Sequence, residues 1–296
     1  MGYRHTDNLY ANQAILQFPE CYASEKIHGT SSHLKFNRQE NTIHYHGGGE
    51  RYETFKALFD VPTLEYRFPL LRGDVITVYG ESYGGKQQKN AWRYGPVLKF
   101  CAFEVNVDGV WLTVPQAEEY VKLLGLEFVH YVRIKTDLSC IDAERDAISE
   151  QAIRNGVTTR DGEFIRREGV VLRTINEELD SRGNRVMAKH KRPEERETKT
   201  IREVSTDKIE KQKEARAIAE EWVTENRISN AKSHFTADEW RIQNMGNLIR
   251  YIVNDVIRES EGLAELDADA KREVGKRSAQ LIKQDFQSAL AETTNA

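Results

Sequence analysis

Residues 21–36 read CYASEKIHGTSSHLKF. Apolar and polar side chains alternate along most of this stretch, as in half-buried strands. The segment E-K-I-H-G-T then sets Lys26 at a strand end with Gly29 three residues behind it. A lysine at a strand end is ordinarily a solvated side chain. Its neutral amine is also a nucleophile toward carbonyl carbon or phosphorus, once desolvation or neighbouring cations lower its pKa from about 10.4. A glycine at position 29 would let the backbone pass close to a ligand with no Cβ in the way.

Working outward, YASEKIHG, SHLKFN and TIHYH alternate, with NRQEN as the turn between the second and third. VITVYGE, VLKFCAFEVN and VWLTV are β-branched and aromatic runs, and Asp108-Gly109 between the last two is a hairpin signal. Pro115 opens a helix that Gly125 closes, and IDAERDAISEQAIRN reads as one further helix. GVVLRT and RVMAKHK form an expected antiparallel pair around the Arg182-Gly183-Asn184 turn. After Pro193 no proline and no strand-like run follows, and charged helical periodicity takes over. One charged helix is expected between about 203 and 225. A second starts at Thr236, where Glu239 completes a T-x-x-E capping box, and carries Met245, Leu248, Ile249, Ile252, Val253 and Val256 on one face. A third is capped by Asp267 and runs through Val274, Leu281, Ile282 and Phe286. The expected fold class is α+β: an antiparallel-sheet domain over 1–200 followed by a small all-α domain over 201–296.

The 296 residues are 30% charged and 39% hydrophobic, within the range of soluble globular proteins. A formal charge of −4 provides no global basic field, so contact with nucleic acid must come from a local patch. No window approaches the roughly 18 apolar residues of a membrane span. MGYRHTDNLY lacks a signal-peptide core, so the expectation is a cytoplasmic protein, or one of the host cytoplasm if viral, without membrane contact. Cys21, Cys101 and Cys140 are far apart and lack C-x-x-C spacing, which suggests neither a disulfide framework nor a structural zinc site.

The chemistry is carried by what accompanies Lys26. VYGESYGG places Glu81 at a strand end, FCAFEV places Phe103 and Glu104 on a strand, EGVVLRT places Glu168 at the mouth of another, and AKHK puts Lys189 and Lys191 on one strand face. Taken singly, Phe103 reads as plain core and the lysines as a solvated strand. Together they are the parts of a mononucleotide site: an aromatic to stack on a base, a carboxylate for ribose hydroxyls, another for a metal, and paired cations for phosphates. Glycines 47–49 are not a P-loop, since no G-K-S/T follows them.

The ordered series Glu-Lys-Ile-His-Gly-Thr, Gly-Glu-x-x-Gly, Phe-Glu, Glu-Gly-Val-Val-Leu-Arg, Lys-His-Lys resembles the nucleotidyl motifs of the covalent nucleotidyltransferase superfamily, over residues 20–195. Lys-Ile-His-Gly is similar to the RNA ligase 2 branch, and the helical tail resembles that branch too, where DNA ligases and capping enzymes carry an OB-fold. The resemblance implies an ATP-dependent RNA ligase acting in RNA repair or processing. Lys26 would form a lysyl-AMP, AMP would pass to an RNA 5′-phosphate, and a 3′-hydroxyl would displace it, on duplex or nicked RNA. It further implies that Glu25 and Ile27 contact adenine through backbone and packing, Glu81 the ribose and Phe103 the base face. Glu168 would help hold Mg²⁺ or Mn²⁺, Lys189 and Lys191 the phosphates, and His28 would assist. Gly29 would leave room for the nucleotide, and Arg51 would match a family arginine near the RNA phosphate. The chain departs from the branch at Ser31, where Asn is usual, and at Glu104, where Asp is common. A capping-type guanylyltransferase and a catalytically inert RNA-binding relative are the alternatives.

Between Arg182 and Arg202 stand eight basic and three acidic residues, a stretch that can underlie RNA. From 201 to 296 there are 15 Lys and Arg against 18 Asp and Glu, so the tail is not a general polyanion binder. It is expected to present individual basic residues to duplex RNA by shape, or to dimerise through the apolar face of its second helix.

Overall fold

The alternation that begins at Cys21 becomes β1 (Glu20–Glu25), in which Cys21 and Ala23 are fully buried. In the computed structural model, which describes residues 3, 6–180, 183–195, 206–236, 238–260 and 266–291, the chain divides into two compact units. The first comprises Met1–Ile175 and Met187–Arg202, the second Asn176–Val186 and Glu203–Ala296. The compositional change near residue 200 lies close to one limit. Residues 176–186 cluster with the helices although they link two strands of the first unit, which composition gives no reason to expect.

The first unit holds two antiparallel sheets. One has the order β7 (Tyr131–Lys135), β1, β8 (Gly169–Thr174), β9 (Met187–Lys191). The other has the order β3 (Thr42–His46), β2 (Gly29–Asn37), β4 (Val75–Tyr83), β5 (Lys99–Val107), β6 (Val110–Trp111). In β2, Ser32, Leu34 and Phe36 are buried while Ser31, His33 and Lys35 are not, so one face packs on the core. Asp108 and Gly109 both take positive φ, 52° and 90°, as a two-residue hairpin turn with matching strand twist requires. The Asp108 carboxylate also accepts hydrogen bonds from the Asp74 and Val75 amides, which fixes the start of β4.

Two expectations change in this unit. VWLTV yields only Val110–Trp111 as strand, because Thr113 and Gln116 form a capping box that starts α3 (Val114–Leu123). The expected single helix over IDAERDAISEQAIRN is two, α4 (Leu138–Arg145) and α5 (Glu150–Arg154). The chain between them pairs with residues 165–167, through the Ser149 amide to the Ile165 carbonyl at 2.8 Å and the Arg167 amide to the Ala147 carbonyl at 3.0 Å.

In the second unit, α6 (Thr206–Trp222), α7 (Glu225–Lys232), α8 (Met245–Ser260) and α9 (Ala268–Ala291) surround a core of Val223, Leu248, Ile252, Val256, Val274 and Ile282, all fully buried. Asp267 caps α9 by accepting from the Ala270 amide at 2.7 Å. The capping box at Thr236 and Glu239 forms, but it closes an isolated turn, and the helix begins only at Met245. Trp240 explains the gap: its ring is buried and its Nε1 donates to Asp285 of α9 at 2.8 Å, and Arg241 turns extended behind it. The apolar face of α8 is covered within the chain by α7 and α9, so it gives no reason for a dimer. No helix among the described residues is long and apolar enough to cross a membrane.

Candidate active site

Three residues, Lys26, Ile27 and His28, carry the chain from the end of β1 in one sheet to the start of β2 in the other. The crossing is pinned by backbone bonds: the Glu25 amide to the His130 carbonyl at 2.9 Å, the Lys26 amide to the Gly169 carbonyl at 3.0 Å, and the His28 amide to Tyr94 Oη at 3.1 Å. Ile27 is buried, and the Lys26 side chain is 22% exposed.

Lys26 Nζ donates to Glu168 Oε2 at 3.0 Å, His28 Nδ1 lies 3.3 Å from the same oxygen, and Lys191 Nζ lies 3.1 Å from Oε1. Three basic groups therefore converge on one carboxylate that is 1% exposed. Burial pushes the Glu168 pKa up, but the His28 hydrogen bond and the charges of Lys26 and Lys191 outweigh it and hold it at about 2. Glu81 responds in the opposite direction. Burial drives it up to about 7, with the Glu168 charge adding to the rise and Lys26 opposing it. Neighbouring carboxylates thus differ in charge state near neutrality, Glu168 ionised and Glu81 poised to titrate.

Beside this cluster lies a cavity of about 310 Å³. Lys26, Glu81, Glu104 and Lys189 give it polar edges, and Ile27, Phe103, Val129 and Val171 give it apolar walls. Such a surface suits a flat aromatic group with an anionic end. Phe103 is set by β5, whose Glu104 pairs with buried Arg173 at 3.5 Å, while Arg173 also donates to the carbonyls of Phe103 and Leu112. The segment at residues 7–9 lies along β9: the Lys189 amide donates to the Asp7 carbonyl at 2.8 Å and the Leu9 amide to the Lys189 carbonyl at 2.9 Å. Tyr3 also lines the cavity, with its ring edge-on to Phe103 at 5.1 Å.

Of the residues singled out in the sequence, Glu25, Lys26, Ile27, Glu81, Phe103 and Lys189 line the cavity, and His28, Glu168 and Lys191 join through the ionic cluster. The Glu25 carboxylate is spoken for, accepting from Ser149 Oγ at 2.5 Å and the Gln151 amide at 3.2 Å. Gly29 is needed for a different reason from the one expected. A Cβ there would lie 2.2 Å from the Ser82 carbonyl oxygen and 2.9 Å from Glu81 Cγ, so the missing side chain accommodates β4. Arg51 is exposed at the N-cap of α1 (Tyr52–Lys56) and is not among the residues that line the cavity. Val129, Val171, Tyr3 and Arg173 were not singled out. Val171 and Arg173 carried a usable signal, since both stand in the Glu-Gly-Val-Val-Leu-Arg run that begins at Glu168.

Among the described residues, no three His, Cys, Asp or Glu side chains are grouped to hold a metal ion. Glu168 and the nearby Glu81 are the carboxylates that border the lysine cluster.

No curated protein matches the chain. Its fold is similar to that of a Naegleria gruberi RNA ligase solved with PPi, at 14% identity and a TM-score of 0.49, over 64% of this chain and 56% of that one. A variant of that enzyme solved with ATP and Mn matches at 13% identity and 0.48 over 64% and 56%, and an apo variant at 14% and 0.47 over 72% and 58%. The chain thus spans a little over half the length of these proteins. The profile of the RNA ligase family matches residues 19–191, more than half of the chain and the segment that holds every strand of both sheets, and on that match the chain belongs to the RNA ligase family.

Proposed function

We propose that this chain is an ATP-dependent RNA ligase of the RNA ligase 2 branch, working through Lys26 in RNA repair or processing. The observation that carries the reading is the convergence of Lys26, His28 and Lys191 on buried Glu168, at the edge of a cavity with apolar walls. Adenine would lie against Phe103 and Val171, with the ribose toward Glu81 and the phosphates toward Lys189 and Lys191. Lys26 Nζ, freed of its proton, would attack the α-phosphorus. An N–P bond forms, pyrophosphate leaves, and lysyl-AMP results. The RNA 5′-phosphate then takes the AMP and regenerates the amine, and a 3′-hydroxyl attacks that phosphate and releases AMP.

To react, Lys26 Nζ would give up a proton to solvent and turn away from Glu168 Oε2, to which it donates at 3.0 Å. His28 and Lys191 stay on Glu168 when it does. A buried carboxylate is then never left without a counter-charge, an arrangement that would otherwise cost several kcal/mol. A divalent ion, Mg²⁺ or Mn²⁺, fits this site with Glu168 as a protein ligand and phosphates and water as the rest, since such ions need only one or two carboxylates there. It would neutralise the charge that builds on the leaving phosphates.

The test is incubation with α-labelled ATP or GTP and Mg²⁺, followed by denaturation. Acid-labile label from ATP alone, absent in Lys26→Ala, supports the reading. A preferred GTP label points to capping chemistry. No label with either nucleotide, even after pyrophosphate treatment to strip a preformed adduct, sinks it. A 5′-phosphorylated nicked RNA duplex, compared with single-stranded RNA, then identifies the preferred ends.

A further inference from the structure

We infer that the β4–β5 connection, residues 84–98, seats the RNA strand that receives AMP, with Trp92 as a stacking platform and Lys86 and Lys89 as phosphate contacts; the inference rests on the ligase reading above. The connection is fastened to the residues that directly follow Lys26. Gln88 Nε2 donates to the Gly29 carbonyl at 2.7 Å, Thr30 Oγ1 donates to Gln87 Oε1 at 2.8 Å, and Tyr94 Oη receives the His28 amide. The Gly85 amide closes the loop on the Gly95 carbonyl at 3.0 Å. Gly84 sits at φ +74°, where a Cβ would meet the Val97 carbonyl oxygen at 2.4 Å, so the loop has a defined shape.

On this fixed support Ala91 and Tyr94 are buried, yet Trp92 between them is 56% exposed. Indole is costly to leave in water and suits a flat partner. The Arg93 guanidinium lies 5.8 Å from the Trp92 ring centroid and is held by Glu195, so the indole is backed by a fixed cation. Lys86 and Lys89 are exposed, and residues 84–98 contain no Asp or Glu. An aromatic platform flanked by lysines matches the chemistry of an RNA strand, whose bases stack and whose backbone is anionic. The position beside Lys26 is where an acceptor 5′-phosphate has to arrive.

The test measures binding of a labelled 5′-phosphorylated RNA by anisotropy across a salt series, alongside self-labelling with ATP. Trp92→Ala should weaken RNA binding about 10-fold, and Trp92→Phe should recover most of it. The Lys86→Ala/Lys89→Ala double variant should flatten the slope of log affinity against log salt by about 1.4–1.8. Self-labelling should stay within about 2-fold of wild type in all three variants, since none of these side chains lines the nucleotide cavity. Unchanged RNA affinity and slope would overturn the inference. So would loss of self-labelling together with RNA binding, which would make the loop a brace for residues 28–30. A wild-type chain that binds RNA through Trp92 but never takes label refutes the ligase reading alone.

Discussion

Replacing Glu168 with glutamine removes the charge on which the lysine cluster is built while keeping the shape of the side chain. The Glu168 carboxyl stands at about 2, against an ordinary 4.5. That difference corresponds to roughly 3 kcal/mol of folding free energy near neutral pH. The sign follows from the direction. A carboxylate whose folded pKa is depressed contributes fully above its unfolded value, and the contribution is lost as pH falls toward the folded one. Glu168→Gln should therefore destabilise by up to about 3 kcal/mol near pH 7, and by about half of that near pH 3. Glu81 softens the effect. The Glu168 charge is one of the causes that hold Glu81 up at about 7, so without it Glu81 ionises more readily and takes over part of the neutralisation of Lys26. The measured loss near pH 7 should fall between about 1 and 3 kcal/mol. Urea unfolding of both proteins, followed by strand circular dichroism over a pH series, reads it directly. A loss under about 0.5 kcal/mol, or a loss that grows on acidification, would refute the electrostatic account of the cluster.

Glu81 predicts the opposite slope: its folded form keeps a proton that the unfolded chain sheds, so wild-type stability should fall by up to about 3 kcal/mol as pH rises from about 4.5 to 7. Glu81→Gln should abolish that decline, and a decline of equal size in the variant would assign it to another group. Gly29→Ala should destabilise by at least about 2 kcal/mol and slow lysyl-AMP formation, because its Cβ meets the backbone oxygen of Ser82; a wild-type melting temperature would show that β4 yields freely. Phe103→Ala should raise the KM for ATP about 10-fold with a smaller change in kcat, since a lost stacking surface weakens binding more than chemistry. Equal loss in both would show that the ring instead supports the strand.

Much of this arrangement was legible because the chemistry is written at strand ends. Lys26 and Glu168 each lie where a strand stops or starts, and periodicity places such residues without knowledge of pairing; Glu81, expected at a strand end, instead lies inside β4, paired with Ser31 and Cys101 on its two sides. What escaped reading depends on contacts between distant parts of the chain. Ser149 and Gln151 take up the Glu25 carboxylate across more than 120 residues, and nothing local marks them for it. At Gly29 a sequence shows that a side chain is missing, not that the Ser82 carbonyl of β4 occupies its place. Thr236 and Glu239 form the local hydrogen bonds that their spacing implies, yet burial of Trp240 against Asp285 interrupts the helix they announce. Tertiary packing overrode a satisfied local signal there.

The division of residues 176–186 from the strands on either side bears on the order in which this protein is made. These residues leave the ribosome between β8 and β9 and partly bond among themselves, as Arg185 does to Glu177, but some of the groups they pack with emerge much later. Glu178 accepts from Gln280 of α9, and Lys283 of the same helix is buried near Glu177 and Glu178. The strand unit has all its pairing partners once β9 is synthesised; Glu177 has Arg185 of its own segment at 2.5 Å, while the Glu178 bond to Gln280 waits for α9. Synthesis of α9 is thus the event that completes a segment flanked in sequence by β8 and β9, and the nascent chain carries its sheets before it carries that closure.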